Sequence, residues 1–433
     1  MILAITATVT SVPLPSSAIE CHLRHLVAPC ACYNPVEKHI IVGCQNDNMD
    51  NNDIRRMFYL MTQKFVLETL EAVYLRSPTV TELYSTLLSG VRTKSIYIEN
   101  MYSLKTIDIN AFNGTEKDIQ RLEIRNTPVG QSLGPKHDML KIIDKMDNLE
   151  HVIISNTSLE TVSQFAFLNK EKLREIRMTG NKIKRIEPVA FQNLPQLSVL
   201  DLSNNTIDYI GTRAFVLSFE PTPDVKELEL RLDNNNLNDR SFDGEHVFDS
   251  NYGTSFNPAV WLVLDGNNLI NTLSKDIFMP YFNANPMNTI TVNIECGDCS
   301  NYWLVSGAVD RKHTLEITCY GDHKDIKSYD WSSVTFRTVT VPRYSLVMAH
   351  LIFIWSHIIP GIDKKLWYQH RFVNDLKIQF LSRATGALSA SFGQFLCQLL
   401  YDFSVFEIIS VKHPVFVIPE HLSAGVESIQ LRS

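Results

Sequence analysis

Residues 173–196 read LREIRMTGNKIKRIEPVAFQNLPQ, and residues 197–218 read LSVLDLSNNTIDYIGTRAFVLS. With the first leucine as offset 1, both stretches carry apolar residues at offsets 1, 4, 6 and 11, asparagine at 9 and phenylalanine at 19. In the first copy these are Leu173, Ile176, Met178, Ile183, Asn181 and Phe191. In the second they are Leu197, Leu200, Leu202, Ile207, Asn205 and Phe215. The preceding segment repeats the pattern with Leu149, Val152, Ile154, Leu159 and Phe167, and puts Thr157 in the asparagine position.

Each spacing has a physical reading. Offsets 4 and 6 alternate as in a half-buried strand. Asparagine at offset 9 turns the chain and can bond the backbone groups that the bend leaves unpaired. The later phenylalanine fills the outer side of the coil. One copy cannot bury its apolar edge, whereas stacked copies share a continuous core. Three in-phase copies with a period of roughly 20–29 residues form the leucine-rich repeat pattern.

Weaker copies extend it in both directions. Upstream, Leu70-Val73-Leu75, Ile96-Ile98 and Leu122-Ile124 read as strands. Downstream come Leu230, Leu232, Asn235 and Leu237, then Leu262, Leu264, Asn267 and Leu269, and a last strand at Ile290 and Val292. Inserts fall near 130–138, 218–226 and 238–258, where solvent-facing connections tolerate them. The expected fold is an α/β leucine-rich repeat solenoid over residues 70–294, with a curved parallel sheet on its concave face.

Composition agrees with a folded chain: of 433 residues, 45% are hydrophobic and 20% charged, enough to build a large core. Net charge is −7 with Lys and Arg scattered, which argues against a nucleic-acid partner. No metalloprotease, phosphate-loop, nucleophile-elbow or dinucleotide motif occurs. A non-catalytic chain without cofactor or metal is therefore expected.

The eight cysteines form an N-terminal group (Cys21, Cys30, Cys32, Cys44), a C-terminal group (Cys296, Cys299, Cys319) and Cys397. Cys296-x2-Cys299-x19-Cys319-x3-His323 has plausible spacing for a tetrahedral zinc site. A redox Cys-x-x-Cys would need a βαβ context that this segment lacks. The cysteines flank the repeats, however, where a solenoid needs caps over its open core, so disulfides are favoured. Spacing alone leaves three pairings open in the N-terminal group.

Cys21-x8-Cys30-x-Cys32-x11-Cys44 resembles the N-terminal cap of extracellular leucine-rich repeat proteins, and the resemblance implies Cys21–Cys32 and Cys30–Cys44 bonds. Cys299-Ser-Asn-Tyr-Trp303-Leu304 resembles their C-terminal cap, implying a Cys299–Cys319 bond and Trp303 as a core plug. That cap usually has a further Cys after the Phe336 position; its absence leaves Cys296 without its family partner. Irregular repeats, a short N-terminal cap and the Cys-x3-Trp-Leu cap are similar to the arthropod secreted leucine-rich repeat group. The likeness spans residues 20–336, and the group includes the non-catalytic subunit of decapod luciferin 2-monooxygenase. It implies caps at 19–69 and 295–336 and no catalysis by this chain.

Residues 1–18 are apolar with small residues before Ile19, in the manner of a secretory signal. Asn113, Asn156 and Asn204 open glycan acceptor triplets. Asn156 and Asn204 share one offset two copies apart, roughly 10 Å along one edge. Residues 337–433 lose the repeat, which suggests an extension outside the fold, such as an alternative exon. Within them the apolar run 344–359 falls short of the roughly 20 residues of a spanning helix.

Exposed positions on the strand face fall at offsets 2, 3, 5, 7 and 8. Arg174, Arg177, Asp201, Arg231, Trp261 and Asp265 stand there and form the expected partner-binding set. The expected function is a secreted protein that binds another extracellular protein through its concave face. The alternatives are an accessory subunit of an enzyme and the ectodomain of a membrane-anchored receptor.

Overall fold

The computed structural model describes residues 19–20, 27–34, 39–64, 69–130, 138–217, 227–243, 247–248, 259–306, 309, 316–321 and 323–329. The expected signal segment, Cys21, Cys397, the 344–359 run and most of the three inserts lie outside them. The chain divides into two units, and the repeats form the first, which ends at Ser328. Of the second, only Gly297–Tyr302 and Tyr329 are described.

A thirteen-stranded sheet runs through the first unit. It opens with an antiparallel arrangement of Ile19–Glu20, Ala31–Asn34 and Ile41–Gln45. From Ile41–Gln45 onward each strand pairs in parallel with the next: Thr69–Arg76, Arg92–Glu99, Arg121–Arg125, His151–Ser155, Glu175–Arg177 and Val199–Asp201. The ladder continues through Glu227–Arg231, Ala259–Val263, Thr289–Ile294 and Glu316–Cys319. Every strand expected from leucine spacing is present. The parallel ladder also reaches into both segments expected to be caps, at 41–45 and 316–319.

Register follows the apolar pattern. Ile176 sits opposite Val152 and Leu200, all fully buried. A one-residue slip would turn this row to solvent, so the alternation itself fixes the pairing. On the outer side, Thr161–Val162, Arg185–Ile186 and Tyr209–Ile210 form one short parallel ladder, and Phe167–Leu168, Phe191–Gln192 and Phe215–Val216 another. Their rings stack at centroid distances of 5.3 Å for Phe167–Phe191, 5.7 Å for Phe191–Phe215 and 5.8 Å for Phe215–Phe248. The aromatic file continues through Tyr281 and Phe282 to Trp303.

The offset-9 asparagines close the bend after each strand. Asn205 Nδ2 donates to Met178 O in the previous coil and to Leu202 O in its own, while its Oδ1 accepts from Ile183 N. Asn181, Asn235 and Asn267 repeat the arrangement. Thr157, in the asparagine position, donates instead to Asn181 Oδ1 at 2.8 Å. These buried amides satisfy carbonyls that no strand partner reaches.

Beside this ladder runs a second one. Asn100, Asn126, Asn156, Asn204 and Asn234 all have φ between 50° and 55°, and Gly180 and Gly266 fill the same place in their coils. Left-handed backbone favours Asn and Gly. A Cβ at Gly180 would also meet Asn156 Oδ1, whose exposed side chain would have to move aside.

Helices take the place of outer strands in three coils. Asp50 Oδ1 caps helix α1 (Asn51–Lys64) by accepting from Asn52 and Asp53 N, and Ile54, Met57, Phe58 and Met61 face the core. The short helix α2 (Met139–Asp144) and the longer α3 (Lys275–Ala284) bury their apolar faces likewise. Trp303 is 2% exposed and its Nε1 donates to Leu273 O at 2.9 Å, so it fills the core at this end.

Two disulfides join described residues, Cys30–Cys44 and Cys296–Cys319. The expected Cys299–Cys319 bond is therefore corrected. Ile294 is level with Cys319 across the last strand pair, so Cys296, two residues on, lies 5.3 Å from Cys319 between Cα atoms. Cys299 instead opens the short 3-10 helix Cys299–Leu304. Cys296, left without a partner by the resemblance, thus has one, and the zinc set loses all three cysteine ligands to disulfides. Cys32 and Cys299 are disulfide-bonded too, and no cysteine is free among the described residues. The expected Cys21–Cys32 bond involves Cys21, outside the described residues.

Candidate functional site

The sheet face turned away from the phenylalanine file is the concave face, and strand register lines up its side chains in rows. The central row reads Gly43, Tyr74, Tyr97, Glu123, Ile153, Arg177, Asp201, Arg231, Val263, Thr291 and Glu316. Beside it run Arg121, His151, Glu175, Val199, Glu229, Trp261 and Thr289.

Three chemistries follow one another along the central row. At the N-terminal end Tyr74 and Tyr97 stack with ring centroids 4.2 Å apart. Burial, then the neighbouring Tyr97, pushes the Tyr74 phenol well above its ordinary pKa. The middle is a web of ion pairs. Arg121 and Arg125 hold Glu123 at 2.6 and 2.8 Å. Glu175 accepts from His151 Nδ1 at 2.9 Å and from Arg177 Nε at 2.5 Å, and Arg177 reaches on to Asp201 at 3.1 Å. Burial alone would raise the Glu175 pKa, but the bonds from Arg177 and His151 outweigh it and hold the carboxyl below its ordinary value. Arg231 then bridges Asp233 at 3.1 Å and Glu229 at 3.5 Å.

The last third is different. Trp261 is half-buried, and its Nε1 donates to Thr291 Oγ1 at 2.8 Å; Thr291 donates to Glu316 at 2.5 Å. Asp265 lies on the adjoining row, and Thr318 bonds Asn293. Burial, followed by the charges of Asp233 and Glu316, raises the Asp265 pKa.

The six residues expected to bind a partner sort into four kinds. Arg174 is exposed at the edge of the face. Arg177 and Arg231 are half-buried and committed to carboxylates. Asp201 is 6% exposed; it accepts from Arg177 and from Ser203 N, so it braces the face from within. Trp261 and Asp265 are the half-exposed members at the C-terminal end. Sequence reading passed over Tyr74, Tyr97 and Glu316. Leu-x-x-Leu spacing marks buried positions, and only their register across strands shows which exposed residues become neighbours.

Asn156 and Asn204 are exposed on the left-handed row that borders this face. Asn156 Nδ2 donates to Asn126 Oδ1 at 2.9 Å, and Asn204 Nδ2 to Ser203 Oγ at 3.1 Å. Asn113 is half-buried, with its Oδ1 accepting from Lys145 Nζ at 3.2 Å. No helix among the described residues is long and apolar enough to cross a membrane.

A leucine-rich repeat family model matches residues 147–215, the three copies that are regular in the sequence. The fold is a leucine-rich repeat. A search of curated proteins gives no match. Among solved structures, the octameric complex of latrophilin 3, Unc5D and FLRT2 (LRR) contains a similar chain: 16% identity and TM-score 0.40, over 67% of this chain and 88% of that one. A chain of the Drosophila Toll–Spatzle complex is 15% identical with TM-score 0.39, over 63% and 40%. A chain of the TLR13–ssRNA13 complex is 12% identical with TM-score 0.34, over 58% and 42%. This leucine-rich repeat chain thus spans less than half of the matched chain in the last two. The repeat assignment itself rests on the family match and on the continuous strand register.

Proposed function

We propose that this leucine-rich repeat protein is an extracellular, non-catalytic binding protein that holds another protein against its concave face. The observation that carries the reading is the concave face itself. It is an ordered surface of stacked tyrosines, bridged ion pairs and a tethered indole, built on a rigid ladder. Such a surface costs little entropy on binding because its side chains are already fixed. Aromatic and arginine side chains are also those enriched at binding hot spots. Disulfides near both ends of the repeats support an oxidising, extracellular setting.

Photo-crosslinking tests the site. A benzophenone side chain placed at Thr289, on the concave face, should crosslink a partner from the native extracellular fluid. The same group at Thr161, on the outer ladder, should not. Crosslinking from Thr161 and not from Thr289 would overturn the reading.

The Cys299-x3-Trp303-Leu304 segment favours a second reading, an accessory non-catalytic subunit of an enzyme like that of the decapod monooxygenase group. The Cys296–Cys319 pairing departs from the family pattern that suggested it. Co-purification with a small catalytic chain would support this reading, and recovery of the chain with non-enzymatic partners alone would exclude it.

A further inference from the structure

From Glu123 to Asp233 the carboxylates on the central rows are matched with cations, whereas Glu99, before them, lies level with Arg125 and makes no ion pair among the described residues. Glu123 sits between Arg121 and Arg125, Asp201 takes Arg177, and Asp233 takes Arg231. Past Asp233 the matching stops. Asp265 accepts a long hydrogen bond from Asn293 Nδ2 at 3.5 Å, and Glu316 accepts from the Thr291 hydroxyl. Neither meets a cation among the described residues. The Asp265 carboxyl is half-buried, and burial, then the charges of Asp233 and Glu316, raises its pKa.

Trp261 is tied to Glu316 through Thr291, and Asp265 lies four residues farther along the chain. Trp261 lies opposite Glu229 on one side and Thr289 on the other. Its N–H is committed to Thr291, which in turn bonds Glu316, so the indole and that carboxylate are oriented together. The indole makes no ring or cation contact among the described residues. An indole free of ring and cation contacts among the described residues, with Glu316 tied to it and Asp265 farther along the same segment, offers a cation both Coulomb attraction and a π surface. A guanidinium suits this better than an ammonium, since it can lie flat on an indole and fork to a carboxylate at once.

Building on the concave-face reading, we propose that Ala259–Val263, Thr289–Ile294 and Glu316–Cys319 dock an arginine-bearing segment of the protein partner. Its guanidinium would continue the charge ladder at Asp265 and Glu316 beside Trp261. The occupant is defined by charge complementarity: among the described residues, a cation is what the ladder lacks at this end.

The test uses the full chain and two Gly/Ser nonapeptides, one with two arginines and one with citrulline in their place. The arginine peptide should bind saturably, with affinity falling about tenfold when salt rises from about 50 to about 300 mM. The citrulline peptide should not bind. Asp265→Asn and Glu316→Gln should each weaken arginine-peptide binding about fivefold, while Glu187→Gln, on the outer face, should leave it unchanged. Equal binding of both peptides, no saturable binding of either, or indifference to both carboxylate substitutions would overturn the proposal. If a partner still crosslinks from Thr289 while Asp265→Asn and Glu316→Gln leave its affinity intact, the cation claim fails and the concave-face reading stands. Crosslinking from Thr161 alone would remove the reading itself.

Discussion

The buried asparagine is the residue on which each coil depends. Replacing Asn205 by leucine would strand the carbonyls of Met178 and Leu202 and the amide of Ile183 in a dry core. Each such orphan costs about 1–3 kcal/mol, so a loss of about 3 kcal/mol or more is expected in urea unfolding. Its neighbour Asn204 should behave differently. It is exposed in left-handed backbone, so Asn204→Ala should cost about 1 kcal/mol and Asn204→Gly almost nothing. The first role was readable from the sequence, because one asparagine recurs at a fixed offset. The second was less so, because Asn and Gly alternate irregularly at offset 8 and share only a backbone angle.

Charge at single residues gives two opposite pH responses. The Glu175 pKa is lowered on folding, so its stabilisation is complete above the ordinary carboxylate pKa and is lost as pH falls through the folded value. The Asp265 pKa is raised, so ionised Asp265 weakens the fold at neutral pH and that penalty disappears on acidification. Urea midpoints at pH 7 should show Glu175→Gln destabilised and Asp265→Asn stabilised relative to the parent. As pH falls both differences should shrink, the Asp265 difference first, because its carboxyl takes up its proton at higher pH than that of Glu175. A stable parent at Asp265 would contradict the picture of an uncompensated carboxylate kept for binding.

At the scale of elements, the phenylalanine file and the asparagine ladder are two halves of one repeat, and the sequence announced both through their spacing. Phe191→Ala removes the ring between Phe167 and Phe215 and should cost about 3–5 kcal/mol. Coils contact only their neighbours, so hydrogen exchange should rise first in the coils on either side of residue 191. The C-terminal cap was legible only in part. Trp303 as a core plug follows from its motif, whereas the pairing of Cys319 follows from strand register. Glu316–Cys319 forms a further parallel strand, and its alternating Glu-Ile-Thr-Cys pattern was the signal for it. Opening the 296–319 bond by Cys296→Ala with Cys319→Ala should cost about 3 kcal/mol, in keeping with a loop of this length.

For the whole molecule, a repeat that is regular for only three coils still yields one uninterrupted sheet from Ile41 to Cys319. Irregular coils join it because strand pairing needs only the alternation of apolar residues, while the connections vary freely. The binding face was legible as a set of offsets but not as a surface. Which acid met which arginine, and where the pairing ran out, depended on register between strands far apart in the chain. The account rests on a repeat ladder closed by disulfides at both ends. A peptide map of the native protein under non-reducing conditions tests this most directly. It should recover a peptide joining Cys30 to Cys44 and another joining Cys296 to Cys319, both split by reductant. A Cys299–Cys319 peptide, or cysteines that all alkylate without reduction, would contradict it.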